Sequence, residues 1–322
     1  MVRRGRVEPG IPSTPSVTVR RGTQGLPMNP VDASQCLVVR ADTALHAQLE
    51  RLAREQRMVF VAGLPGTGKS LVVQQLAHLA SALARSVHLL QWDVARPVFE
   101  ATDAGQRYPV VNGVTHGLVR KAVGLWARRA LVAWSDRHSG PEHLLLGETP
   151  FIGNRLIELA RREDDGAEPI LSGPSCRFVI PVPSLEVRRF LEAERERRAE
   201  RPVHERERED APPHVLRDLW RQLAEVAPLL GAAAAQPAAG EVPYEPMLYR
   251  RVYQSLLRHR HVEVIPMAVL LPTHDVSVYD FAVPRHDVMP SPEEAARFIR
   301  QVEARYPNLA ALEDEIDRWY GV

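Results

Sequence analysis

Five short apolar runs separated by stretches of helical character constrain this chain more than any other feature: Met58–Ala62, Val87–Trp92, His143–Leu146, Cys176–Val182 and Val262–Leu271. A strand with one wet face alternates apolar and polar residues, whereas a strand covered on both faces reads as an unbroken apolar run. These five runs are of the second kind, and the helical stretches between them supply the crossovers that parallel neighbours require. The pattern predicts an α/β fold, a doubly wound parallel five-stranded sheet.

The rest of the chain fits around that sheet as one domain, residues 36–322. Residues 1–35 are rich in Pro, Gly, Ser, Thr and Arg without periodicity and read as a disordered basic tail, or as an overextended start if Met28 is the first residue. From Ala41 to Arg57, Leu45, Leu49 and Leu52 recur at helical spacing behind the caps Asp42 and Thr43. Residues 184–240 read as an inserted helical region ending in an Ala/Pro linker, followed by a helix over about Tyr244–Arg260. Residues 272–322 read as a proline-punctuated loop to Pro290, a helix capped by Ser291 with Glu293 and Glu294 in its first turn, and a last helix to about Tyr320.

Composition sets outer limits. With 45% hydrophobic and 25% charged residues the chain is that of a folded soluble protein, and a net charge of +1 gives no global field to draw nucleic acid or an anionic membrane. No apolar run reaches the roughly 18 residues that span a bilayer, and the start lacks a signal-peptide apolar region, so the expected address is the cytoplasm. Cys36 and Cys176 form neither a disulfide framework nor a zinc spacing, as a reducing compartment would allow.

Between the first run and the helix after it stands Gly63-Leu64-Pro65-Gly66-Thr67-Gly68-Lys69-Ser70, then Leu71. It matches G-x-x-x-x-G-K-[ST] in the strand-to-helix context that the pattern needs. Gly63, Gly66 and Gly68 let backbone N–H groups converge on phosphate oxygens, the helix end adds partial positive charge, Lys69 reaches the terminal phosphates and Ser70 can ligate magnesium. At this composition the pattern is expected by chance on the order of once in two thousand such chains. Lys69 and Lys121 are the only lysines among 41 basic residues, and the loop uses one where a compact ammonium is required. The implied ligands are ATP and Mg2+.

Through this octapeptide the chain resembles the P-loop kinases, the group that includes zeta-toxin-like, polynucleotide-kinase-like and small nucleoside or sugar kinases. The resemblance covers about Met58 to Leu271, though only the octapeptide is specific. It implies a sheet of the P-loop NTPase type with a helical lid insertion. By position, Asp93 at the end of the second run would be the general base facing the acceptor, and a helix cap would need the same residue type. Glu148, where this group usually has a metal-holding aspartate, would serve either the magnesium shell or as the base. In residues 184–240 the resemblance implies arginines that close over the phosphates, with Arg188 and Arg195 seven apart on one stripe beside Val187, Phe190 and Leu191. Most other arginines there alternate with glutamates and read as a solvated helix.

Asn154 and Arg155 open the next helix, where they could face substrate, although the cap of a surface helix calls for the same residues. His259-Arg260-His261, Thr273-His274-Asp275 and Arg285-His286-Asp287 have no spacing diagnostic of zinc and read as turn or surface residues. The resulting expectation is an ATP-dependent, magnesium-requiring phosphotransferase acting on a hydroxyl-bearing small molecule, with no membrane partner. A nucleotide hydrolase working as a conformational switch or partner-remodelling ATPase is the alternative. A polynucleotide end kinase would need a local basic groove.

Overall fold

A computed structural model describes residues 37–233, 242–273 and 277–322. The tail to residue 35 with Met28, and also Cys36, most of the Ala/Pro linker, His274 and Asp275, lie outside the described residues. The strands are β1 Met58–Ala62, β2 Ser86–Gln91, β3 His143–Thr149, β4 Cys176–Pro183, β5 Val262–Met267 and β6 Arg285–Asp287. The helices are α1 Ala44–Glu55, α2 Lys69–Ala82, α3 Trp92–Ala101, α4 Asp103–Gln106, α5 Gly117–Arg137, α6 Glu168–Leu171, α7 Leu185–Glu200, α8 Pro213–Val226, α9 Pro246–Leu256, α10 Pro292–Arg305 and α11 Leu309–Asp317. Among the described residues no helix is long and apolar enough to cross a membrane.

All six strands are parallel in one sheet, in the order β5-β4-β1-β3-β2-β6. The expected five-stranded sheet is therefore corrected to six. β6 falls inside the stretch read as a loop, because three exposed residues, Arg285, His286 and Asp287, carry no apolar signature. Their backbone nevertheless completes the edge beside Val87–Leu89 of β2.

Period-two alternation divides the core between the two faces. Met58, Phe60 and Ala62 of β1 face one side with Leu90, Leu145 and Phe178, covered by α3, α5, α9 and α10. Val59 and Val61 face the other with Leu89, Leu146 and Val179, covered by α1 and α2. Phe60 sits opposite Gly147 in register, and a Cβ on Gly147 would come within 2.1 Å of the Phe60 ring. The residue before Glu148 must therefore be glycine for the two central strands to close.

α2 is more enclosed than its apolar stripe suggests. Gln74 and Gln75 are fully buried and spend their amides on backbone: Gln74 Nε2 donates to the carbonyls of Ser277 and Asp280, each at 2.8 Å, and Gln75 Oε1 accepts from Val38 N at 2.9 Å. A buried polar group costs stability unless it is so paired. These amides fasten the lead-in segment and the loop before β6 onto the helix that ends the glycine-rich loop. Cys176 is a buried free thiol, pushed up to about 12 by desolvation.

The insertion is better anchored than its sequence suggests. In α8, Leu219, Trp220, Leu223 and Ala224 are buried in the main core. In α7, Arg198 is buried rather than solvated: its Nη1 donates to Glu207 Oε1 at 2.6 Å and its Nη2 to the carbonyl of Thr273 at 2.7 Å.

Candidate functional site

The loop between β1 and α2 wraps the first turn of the helix. Gly66 and Gly68 have φ of 72° and 85°, the left-handed region that glycine enters without a Cβ penalty. Thr67 Oγ1 donates to the carbonyl of Leu64 at 2.8 Å and accepts from the hydroxyl of Tyr249 at 3.4 Å, which ties the loop to α9. A Cβ at Gly63 would meet that Tyr249 hydroxyl at 2.2 Å.

Glu148 arrives at the same point from β3, one residue before that strand ends. In register it lies beside Val61 of β1 and Gln91 of β2, so the sheet delivers its carboxylate to the helix N-terminus. Ser70 Oγ donates to Glu148 Oε1 at 3.0 Å, Gln91 Nε2 to Oε2 at 3.3 Å, and Lys69 Nζ stands 3.6 Å from Oε1. Lys69 also donates to its own loop, to the carbonyl of Leu64 at 3.1 Å. Burial is the main reason its ammonium is pushed below the ordinary lysine range, and the nearby Glu148 offsets only part of that. The Ser70 hydroxyl and the Glu148 carboxylate form a hard oxygen pair of the kind that suits magnesium.

Asp93 sits in the first turn of α3, not at the strand end that the sequence suggests. It is open to solvent yet deep among protein atoms, and desolvation, then the charge of Glu148, pushes its carboxyl up. The two carboxylates are thus near enough to repel, with Lys69 and Arg96 acting in the opposite direction.

The two insertion arginines separate. Arg188 is buried, and its Nη1 donates to the carbonyls of Pro65 at 2.9 Å and Gly66 at 3.0 Å, while its Nε pairs with Glu192 Oε1 at 2.7 Å. It grips the loop backbone from outside, whereas the resemblance implies an arginine that closes over the phosphates. Arg195 donates to the carbonyl of Ala211 at 3.2 Å and lies 3.6 Å from Asp210 Oδ1. Its charge helps lower Lys69, so it faces the loop without touching it.

Gly66, Gly68, Lys69, Ser70 and Leu71 open into a cleft of about 900 Å³, counting its solvent-filled mouth. Its walls are mostly apolar: Val187 and Leu191 from α7, Met267 at the end of β5, and Leu271, Val278 and Tyr279 from the segment after it. Arg195 and Arg198 line its rim.

Sequence reasoning missed a group on the other side of Glu148. The stretch after β3 is no capped surface helix: Phe151, Asn154 and Leu156 all have φ between 62° and 64°, and all three are buried. Non-glycine residues hold that conformation only where the surroundings over-determine it, often near functional sites. Tyr253 fixes the turn by donating to the carbonyl of Pro150 at 2.8 Å. The turn brings Arg155 beside Arg120, whose guanidinium donates to the carbonyl of Gly153. Burial, then the charge of Arg120, presses Arg155 down to about 10, and burial likewise lowers Arg120. Neither has a carboxylate at ion-pair distance among the described residues; Asp317 acts on Arg120, and Asp93 and Arg96 on Arg155, from further off. Nothing in the local sequence marks this pair, because Arg120 and Arg155 meet only through the fold. Comparison of the chain with known protein families, curated proteins and solved structures found no match.

Proposed function

We propose that this protein is an ATP-dependent, magnesium-requiring phosphotransferase whose acceptor is a small molecule with a hydroxyl and an anionic group. The observation that carries the reading is the convergence of Lys69, Ser70 and Glu148 at the N-terminus of α2, where a glycine-rich loop opens into an apolar cleft of nucleotide size. The loop is of the P-loop NTPase type, and its amides with the helix end would cradle the phosphates. The apolar wall of Val187, Met267 and Leu271 would receive the base.

In that reading Lys69 exchanges its Leu64 carbonyl for terminal phosphate oxygens and regains the charge compensation that burial denies it. Ser70 and Glu148 would hold magnesium, which would neutralise phosphate charge. Asp93 takes the proton as the acceptor O–H breaks and the new O–P bond forms, and ADP leaves with the electrons of the broken bridging P–O bond. A raised carboxyl suits that base, because it is a better proton acceptor than an ordinary aspartate. Arg120 and Arg155, half-buried and without a carboxylate at ion-pair distance among the described residues, would bind the acceptor's own anion and hold its hydroxyl toward Asp93.

The test is ADP release with ATP and magnesium across hydroxyl compounds, with and without a phosphate or carboxylate. Stimulation by an anionic acceptor, with the phosphoryl group recovered on it, supports the reading. Steady ATP turnover that ignores every acceptor and responds to an added protein would make this a switch ATPase instead.

A further inference from the structure

We propose that His88, His138 and His143 form a binding site for one divalent transition-metal ion of the zinc class, at the opposite end of the sheet from Glu148. Three elements bring them together: His88 from β2, His143 as the first residue of β3, and His138 as the C-cap of α5. One ring nitrogen from each lies within 4.8 Å of the other two. His88 Nε2 and His143 Nδ1 are 3.2 Å apart. Two nitrogens on a tetrahedral ion with bonds of 2.0–2.1 Å stand about 3.4 Å apart, so this pair already has the required spacing. His138 and His143 are only half-buried, and small ring rotations bring the third nitrogen in.

The surroundings support ligation. Glu142 Oε1 lies 3.5 Å from His143 Nε2, behind the nitrogen that faces His88. A carboxylate in that place fixes the tautomer and leaves Nδ1 free to bind metal, the arrangement that metal-binding histidines usually have. A fourth imidazole, His286 of β6, packs against His88 with ring centroids 5.2 Å apart and planes tilted by 32°. An all-imidazole donor set suits zinc, copper, nickel or cobalt and not magnesium. Glu148 lies five residues along β3 from His143, roughly 16 Å away, so the ion would brace the β2–β3–β6 edge and take no part in chemistry at Lys69.

The competing account is an aromatic cluster around Trp134, whose ring centroid is 5.5 Å from those of His88 and His138, held by a plain imidazole hydrogen bond. Titrating tag-free, chelator-stripped full chain with Co(II) separates the two. We expect the visible bands of tetrahedral cobalt to saturate at one ion per chain and to be displaced by Zn(II). His138→Gln and His143→Gln, both at partly exposed positions, should fold normally by circular dichroism and lose the bands, with zinc affinity down at least about 100-fold. Glu142→Gln should weaken zinc about tenfold while leaving the bands tetrahedral. Absence of tetrahedral bands at stoichiometric cobalt, or bands that survive in both histidine variants, would overturn the site.

Discussion

The two lysines of this chain are both ammonium groups withdrawn from water, and they are compensated very differently. Lys121, on α5, meets two carboxylates: Glu158 at 3.2 Å, itself fully buried, and Glu315 at 2.7 Å. Burial opposes the charge on Glu315, but hydrogen bonds from Lys121, Tyr306 and Arg161 and the charge of Lys121 hold its carboxyl at about 2. That network joins α5, the turn after β3 and α11. Lys69 has one carboxylate at a longer 3.6 Å and a carbonyl of its own loop, and its ammonium is lowered. A closed network of opposite charges fastens a fold, whereas a desolvated, under-compensated cation beside an open cleft favours the arrival of an anion.

The contrast is tested first by removing each ammonium. Lys121→Met leaves Glu158 buried without its cation and should cost about 3–5 kcal/mol, a fall in melting temperature on the order of 10 °C. ATP affinity of the protein that remains folded should not change. Lys69→Met should do the reverse, with melting unchanged or slightly raised and ATP affinity down about 10- to 100-fold, the worth of charge-assisted hydrogen bonds of about 1.5–3 kcal/mol. Equal melting losses for both variants would erase the distinction.

A pH series sharpens the Lys121 side. Because the folded Glu315 carboxyl is depressed to about 2, its contribution is fully present above the unfolded value near 4.3 and is lost as pH falls from there toward 2. Denaturant melts of wild type and Glu315→Gln should differ at pH 6 and converge near pH 2. A constant difference across that range would show that Glu315 does not titrate with folding. On the Lys69 side, Arg195→Ala should change stability by less than about 1 kcal/mol, because its Asp210 contact is partly exposed, while Arg188→Ala should loosen the loop and raise the ATP dissociation constant. Differential calorimetry with nucleotide titration separates the two arginines.

How far the sequence could be read follows from the range of each signal. The first four apolar runs became strands β1 to β4 because their burial is written locally, the fifth became the partly buried edge strand β5, and the octapeptide lies between strand and helix as the motif requires. β6 was hidden because an edge strand of Arg285, His286 and Asp287 needs only backbone pairing. Arg188 and Arg198 look like members of a solvated Glu/Arg helix, since the loop carbonyls and the Glu207 carboxylate that bury them come from elsewhere in the chain. Arg155 beside Arg120, and His88 beside His143, are likewise pairs that only the fold creates.

Equilibrium binding of ATP with magnesium to the wild-type chain and to Lys69→Met, followed by isothermal calorimetry, tests the central claim most directly. We expect one site per chain, with a dissociation constant in the range of about 1 μM to 1 mM and a clear loss in the variant that keeps its fold. No heat of binding at millimolar ATP, or the same affinity in Lys69→Met, would contradict nucleotide recognition by this loop.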